Sequence, residues 1–143
     1  SLGRTFSTFT IPYAALQAAD VTKDLTVCGI PAKGKIVGIY ADVTTAFAGT
    51  AGMLNLRVGT TSGGQELIID AAVKTAAVQL GLTDAQLGAS INRAGAVQGG
   101  YIPAWTGGSI FTRLTSGSGN LSGLTAGSVN IYVVLETFNP GTP

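Results

Sequence analysis

Near its end the chain reads "LTAGSVNIYVVLETF", residues 124–138, where Val129, Ile131, Val133 and Leu135 alternate with Asn130, Tyr132, Val134 and Glu136. A period of two is that of an extended strand, so the first set faces a core and the second faces away from it. The second set is itself half apolar. A sandwich strand ordinarily gives that side to water, so Tyr132 and Val134 call for a cover: a crossing loop, a helix or another subunit.

The same alternation recurs along the chain. "TFSTFTI" sets Phe6 and Thr8 against Phe9 and Ile11 and stops at Pro12, and "DLTVCGIP" stops at Pro31. "KGKIVGIYADVT" sets Val37, Ile39, Ala41 and Val43 against Ile36, Gly38, Tyr40 and Asp42. "MLNLRVGTTSGG" sends Leu54, Leu56 and Val58 inward and Asn55 and Arg57 outward, then turns at Gly63 and Gly64. "SIFTRLTSGSGN" sets Ile110, Thr112 and Leu114 against Phe111 and Arg113 before a Gly/Ser loop. Short strands separated by turn signals predict an all-β domain, a sandwich or a barrel.

The middle of the chain is less regular. "DAAVKTAAVQLG" reads as a helix from Asp70 to Gly81 with Val73, Ala77 and Leu80 as its stripe, while "AAVQLGL" reads equally well as a strand. "TDAQLG" fits one capped turn, because Thr83 and Gln86 have capping-box spacing and Gly88 can close it. One or two short helical turns inserted in the middle of the β-domain reconcile these signals.

The length of 143 residues holds one domain, residues 1–143, around a single core. Residues 1–8 are a candidate N-terminal arm and 139–143 a loose C-terminal tail. The chain is 45% hydrophobic but only 10% charged, against roughly 25% charged in an average soluble domain, so Ser, Thr, Asn, Gln, Gly and Ala must build its surface. Eight basic residues against seven acidic ones give +1, and the basic ones are scattered, which leaves no electrostatic footprint for nucleic acid or an anionic membrane. So small a net charge offers little resistance to self-association. No run of about 20 apolar residues predicts a membrane span, and the opening residues lack the apolar stretch of a signal peptide, so synthesis in the cytoplasm is expected.

The chain has no histidine and a single cysteine, Cys28. That composition excludes Ser-His-Asp and Cys-His nucleophile systems, an imidazole base and a His-based zinc site. Cys28 lies in the apolar run "LTVCGI" and is expected as a small buried hydrophobe. Paired carboxylates suffice for glycoside hydrolysis, but the candidate pairs, Asp20 with Asp24 and Glu66 with Asp70, sit beside a Lys or at a turn and read as solvated or capping groups. "VGTTSGGQ" and "TSGSGNLSG" lack the phosphate-loop pattern and read as hairpin or loop connections. No catalytic, metal-binding or cofactor-binding residue is assigned, and no cofactor is expected. Tyr101 and Trp105, on the Gly/Pro-framed stretch "GGYIPAWTGG", could lid the core, anchor a protein contact or stack on a sugar.

The segments "TTAFAGT", "LNLRVGTTSG", "DAAVKTAAVQLGLTDAQLG", "NRAGAVQGGYIPAWTG" and "RLTSGSGNLSGLTAGSVNIYV", collinear over about Phe9 to Val134, resemble a family of small structural proteins encoded by tailed bacteriophages. That resemblance implies a jelly-roll β-sandwich in the virion, with a head decoration or cement protein as the leading role. Such proteins sit on the outside of the capsid, commonly as dimers or trimers, and lock neighbouring major capsid protein subunits together. The alternative is a tail, neck or fibre-associated β-module that binds a host glycan or another virion protein. A homo-oligomer is expected because apolar outward positions exceed what one small sandwich shows to water; ranking a trimer ahead of a dimer rests on the resemblance alone. The candidate protein-interface residues are Phe6, Tyr40, Tyr101, Trp105, Phe111, Tyr132 and Val134.

Overall fold

A computed structural model of the chain describes residues 2–74, 79–80 and 107–138. The strands are β1 (Leu2–Pro12), β2 (Thr22–Ile30), β3 (Gly34–Gly49), β4 (Leu54–Gly59), β5 (Ile68–Ala72), β6 (Gln79–Leu80), β7 (Gly108–Ser116) and β8 (Leu124–Phe138). They form two antiparallel four-stranded sheets, ordered β1-β8-β3-β6 and β2-β7-β4-β5. Taken in order, successive described strands lie in different sheets except for β4 and β5. That double interleaving is the jelly-roll arrangement expected from the sequence.

Alternation explains which side of each strand meets the core. Ile110 and Leu114 of β7, Leu54, Leu56 and Val58 of β4, and Val129, Ile131, Val133 and Leu135 of β8 are all buried between the sheets. Thr112 occupies a core position in the same series, and its hydroxyl donates to the Arg57 carbonyl at 2.9 Å, so a polar atom is buried without losing its partner.

The long β3 and β8 pair is the spine of the first sheet, and its register slips at four places. At the first, Ile36 lies opposite Leu135 and Gly38 opposite Val134, so Val37 is the extra residue of a bulge. Strict alternation therefore fails there. Ile36, expected on the outer side with Tyr40, is wholly buried together with Ile39, because the bulge turns the strand face over between them. Farther along, Gly127 has φ +125°, and a Cβ there would meet the Phe47 ring and lie 2.7 Å from the Phe47 Cα. Only glycine lets Phe47 close over β8 at that bend.

Two sequence expectations need correction. Asp70–Ala72 belongs to strand β5 and not to a helix, and Val73 is buried in the core, its amide donating to the Leu54 carbonyl at 2.9 Å. Gln79 and Leu80 pair with β3, as the strand reading of "AAVQLGL" expects. Residues 2–8 are not a free arm; they are paired one by one with Tyr132–Phe138 of β8. The helical turns of the described residues are 3₁₀ turns at Tyr13–Leu16 and Leu121–Gly123, away from the middle. The capped turn expected at Thr83–Gly88 and the tail 139–143 lie outside the described residues.

Candidate interaction surface

The outer faces of the two sheets differ in chemistry. On the second sheet the register sets Asp24 opposite Arg113 and Arg113 opposite Arg57. Two arginines side by side would repel, but each has its own carboxylate. Arg113 donates from Nε and Nη2 to Asp24 at 2.6 and 2.9 Å, and Arg57 donates from Nε to Asp70 at 3.2 Å. Ser62 and Asn55 donate further bonds to Asp24 and Asp70. The Arg113 guanidinium holds the Asp24 carboxyl below its ordinary range, and Asp24 in turn raises Arg113. The loop after β4 is tied down as well: burial raises the Glu66 carboxyl, but hydrogen bonds from the Thr60 hydroxyl and amide outweigh it and leave the group lowered. The arginines of this face are thus paired on the face itself.

The outer face of the first sheet is apolar at its centre. Its rows across β1, β8 and β3 are Arg4, Glu136 and Lys35; then Phe6, Val134 and Gly38; then Thr8, Tyr132 and Tyr40; then Thr10, Asn130 and Asp42. Arg4 donates to Glu136 at 2.8 Å and closes one end. In the centre Phe6 is 73% exposed and Tyr40 53% exposed, while Tyr132 and Val134 are half-buried between them. Gly38 makes this possible. A Cβ at that position would lie 3.1 Å from Tyr40 Cε2 and 3.3 Å from its hydroxyl oxygen, so the tyrosine lies across the strand over the bare glycine backbone. The result is an open groove of about 460 Å³ lined by Phe6, Val37, Tyr40 and Val134 and rimmed by Arg4, Lys35 and Glu136. Asn130 donates to the Tyr132 hydroxyl at 3.1 Å, which fixes the ring at the far side.

Of the seven residues picked out by sequence, Phe6, Tyr40, Tyr132 and Val134 thus meet on one surface. Phe111 does not join them: it projects from β7 on the opposite sheet, half-buried, with Gly59 and Thr26 as its cross-strand neighbours. Tyr101 and Trp105 lie outside the described residues. Val37 and Gly38 were missed as contributors, since alternation alone turned Val37 inward and gave a glycine no role.

The carboxylates considered for catalysis are all engaged by structural donors. Asp20 accepts from the Val21 amide at 2.6 Å, and Asp24, Glu66 and Asp70 are held as described above. Among the described residues no group of three or more His, Cys, Asp or Glu is placed to hold a metal ion, and no helix is long and apolar enough to cross a membrane. Burial raises the Cys28 thiol, as a half-buried hydrophobe next to the core requires.

No protein-family model and no curated protein sequence matches the chain. Solved structures do. A chain in the cyanophage Pam1 capsid asymmetric unit is similar at a TM-score of 0.57 and 12% identity, over 96% of this chain and 85% of that chain. A chain in the capsid of Ralstonia phage GP4 is similar at a TM-score of 0.55 and 16% identity, over 96% of this chain and 86% of that chain. At such identities the likeness is one of fold. It spans nearly the whole sandwich, and each matched chain is only a little longer than this one.

Proposed function

We propose that the protein is a virion structural component, a decoration or cement protein that binds the outside of a phage head. In this reading the face around Phe6, Tyr40, Tyr132 and Val134 docks on major capsid protein subunits. The observation that carries the reading is the contrast between the two sheets. One outer face is crossed by paired charges, Arg113 with Asp24 and Arg57 with Asp70, and the other leaves a large aromatic pair in water. The fold shared with small chains from two phage capsids supports the setting.

The work of such a protein is interface burial and no bond chemistry is needed. A protein that binds the assembled shell better than free capsid subunits shifts assembly toward the shell, by an amount set by that difference in affinity. Many modest contacts on one particle add through multivalency. Self-association on the head belongs to the same reading, with the trimer ranked first by family resemblance alone.

The test is occupancy and mechanical effect on purified particles. Copy numbers in the hundreds, together with particles that lose DNA at lower temperature when the protein is deleted, are expected. A few copies confined to the tail vertex would sink the head-decoration role. Retained binding to bare heads by a Phe6→Thr, Tyr40→Ala double variant would sink the docking face.

A further inference from the structure

We propose that the free edge of β1 pairs with β1 of a second copy of this chain, antiparallel about a two-fold axis, with Phe6 of one copy opposite Phe6 of the other. Among the described residues four strands end the two sheets, and three of them are guarded in the usual ways. Strand β2 has a bulge at Val27 and carries Lys23 and Asp24; β5 is five residues long with its register shifted against β4; β6 has two residues. Strand β1 is eleven residues long and pairs with β8 without a single register shift. No proline interrupts it before Pro12, and its one charge, Arg4, is bound to Glu136. Among the described residues nothing pairs with its outer side.

The exposure of β1 points the same way. Gly3, Arg4, Thr5 and Phe6 are exposed in succession, so both faces of this half of the strand are open and the β8 ladder is its main support. A strand in that position gains from a second neighbour.

Self-pairing is favoured over pairing with a foreign strand by the fit of β1 to itself. With Phe6 on the axis, Thr5 meets Ser7, Arg4 meets Thr8, Gly3 meets Phe9 and Leu2 meets Thr10. No like charges are brought together, Pro12 with its missing N–H falls outside the ladder, and the most exposed aromatic of the described residues stacks against its own copy. The row Gly38, Val134, Phe6 then meets its image, so the apolar strip of the docking face runs on across both molecules. Nine residue pairs span about 30 Å of edge, a smaller contact than the roughly 800 Å² per partner of a standard interface, so the dimer is reversible and concentration-dependent in solution. It is a two-fold contact, separate from the trimer that family resemblance ranks first on the head. The proposal concerns the isolated chain and does not depend on the virion reading.

Sedimentation of the purified protein from micromolar to about 1 mM tests it, the expected mass rising from 14.3 kDa toward twice that value. Over the same range, hydrogen exchange of the β1 amides directed away from β8 should slow about tenfold or more. In a Cys28→Ser background, Phe6→Cys should give a disulfide-linked dimer on mild oxidation, because directly opposite Cα atoms lie about 4.5–5.5 Å apart. Thr8→Cys should not, since its twin lies about 13 Å along the strand. A 14.3 kDa species at every concentration overturns the proposal. So does cross-linking at Thr8→Cys as fast as at Phe6→Cys, or protection of β1 that appears only on capsids, which would identify a strand of another virion chain as the occupant.

Discussion

Replacing Phe6 by Thr separates folding from docking. Thr keeps the strand preference of a β-branched residue, so the change removes an aromatic ring and little else. Phe6 is 73% exposed, which leaves about a quarter of its surface in contact with the protein. Full burial of such a side chain stabilises by about 1.5–3 kcal/mol, so the folding loss is about 0.5 kcal/mol, or about 1–3 °C in Tm for a domain of this size. The exposed three-quarters belongs to an aromatic side chain that can bury about 150–250 Å². On the side-chain scale used for folding, and with credit for what Thr still covers, docking loses about 1–2 kcal/mol, or about five- to thirty-fold in affinity. Ile131→Ala provides the contrast: Ile131 is fully buried between the sheets, and its truncation should cost about 2–5 kcal/mol in stability. Urea unfolding measures the first quantity, and co-sedimentation with heads lacking the protein measures the second. A Phe6→Thr loss above 2 kcal/mol in stability would mean that the ring is packed in the fold, and unchanged head binding would mean that it makes no contact with the head; either refutes the reasoning.

Two further predictions concern the scaffold. Gly127→Ala should lower stability by about 2–4 kcal/mol in urea unfolding, because the new Cβ runs into Phe47 and φ +125° strains any L side chain; a change below 0.5 kcal/mol would show that the bend relaxes freely. Asp24→Asn should cost about 0.5–1 kcal/mol at pH 7, within the range of partly exposed ion pairs. Because Asp24 titrates lower in the folded chain than in the unfolded one, its contribution is present above about pH 4 and is lost as pH falls through the folded value, so the two curves should draw together as the pH falls below about 4. A gap that persisted into acid would assign the effect to something other than the Arg113 pair.

What the sequence determined by itself is the class of fold and the inward set of most strands. In β4, β7 and β8 the apolar positions recur at every second residue, and burial between two sheets admits no other period, so Leu54, Ile110 and Ile131 could be placed before any coordinates. The absence of histidine likewise settled what chemistry the chain lacks, because composition does not depend on folding. The surface feature was half legible. Tyr132 and Val134 announced an outward apolar side, but alternation along one strand says nothing about what lies on the neighbouring strand, and cross-strand register depends on turns and bulges. Only the tertiary structure set Phe6, Val134 and Gly38 in one row, laid Tyr40 over that glycine and moved Phe111 to the other sheet. The bulge at Val37 turned Ile36 into the core, a slip in pairing with β8 that alternation along β3 by itself cannot show. Asp70–Ala72 became strand for a similar reason. Its residues suit helix or strand locally, and the β4 ladder with the buried site for Val73 decided between them.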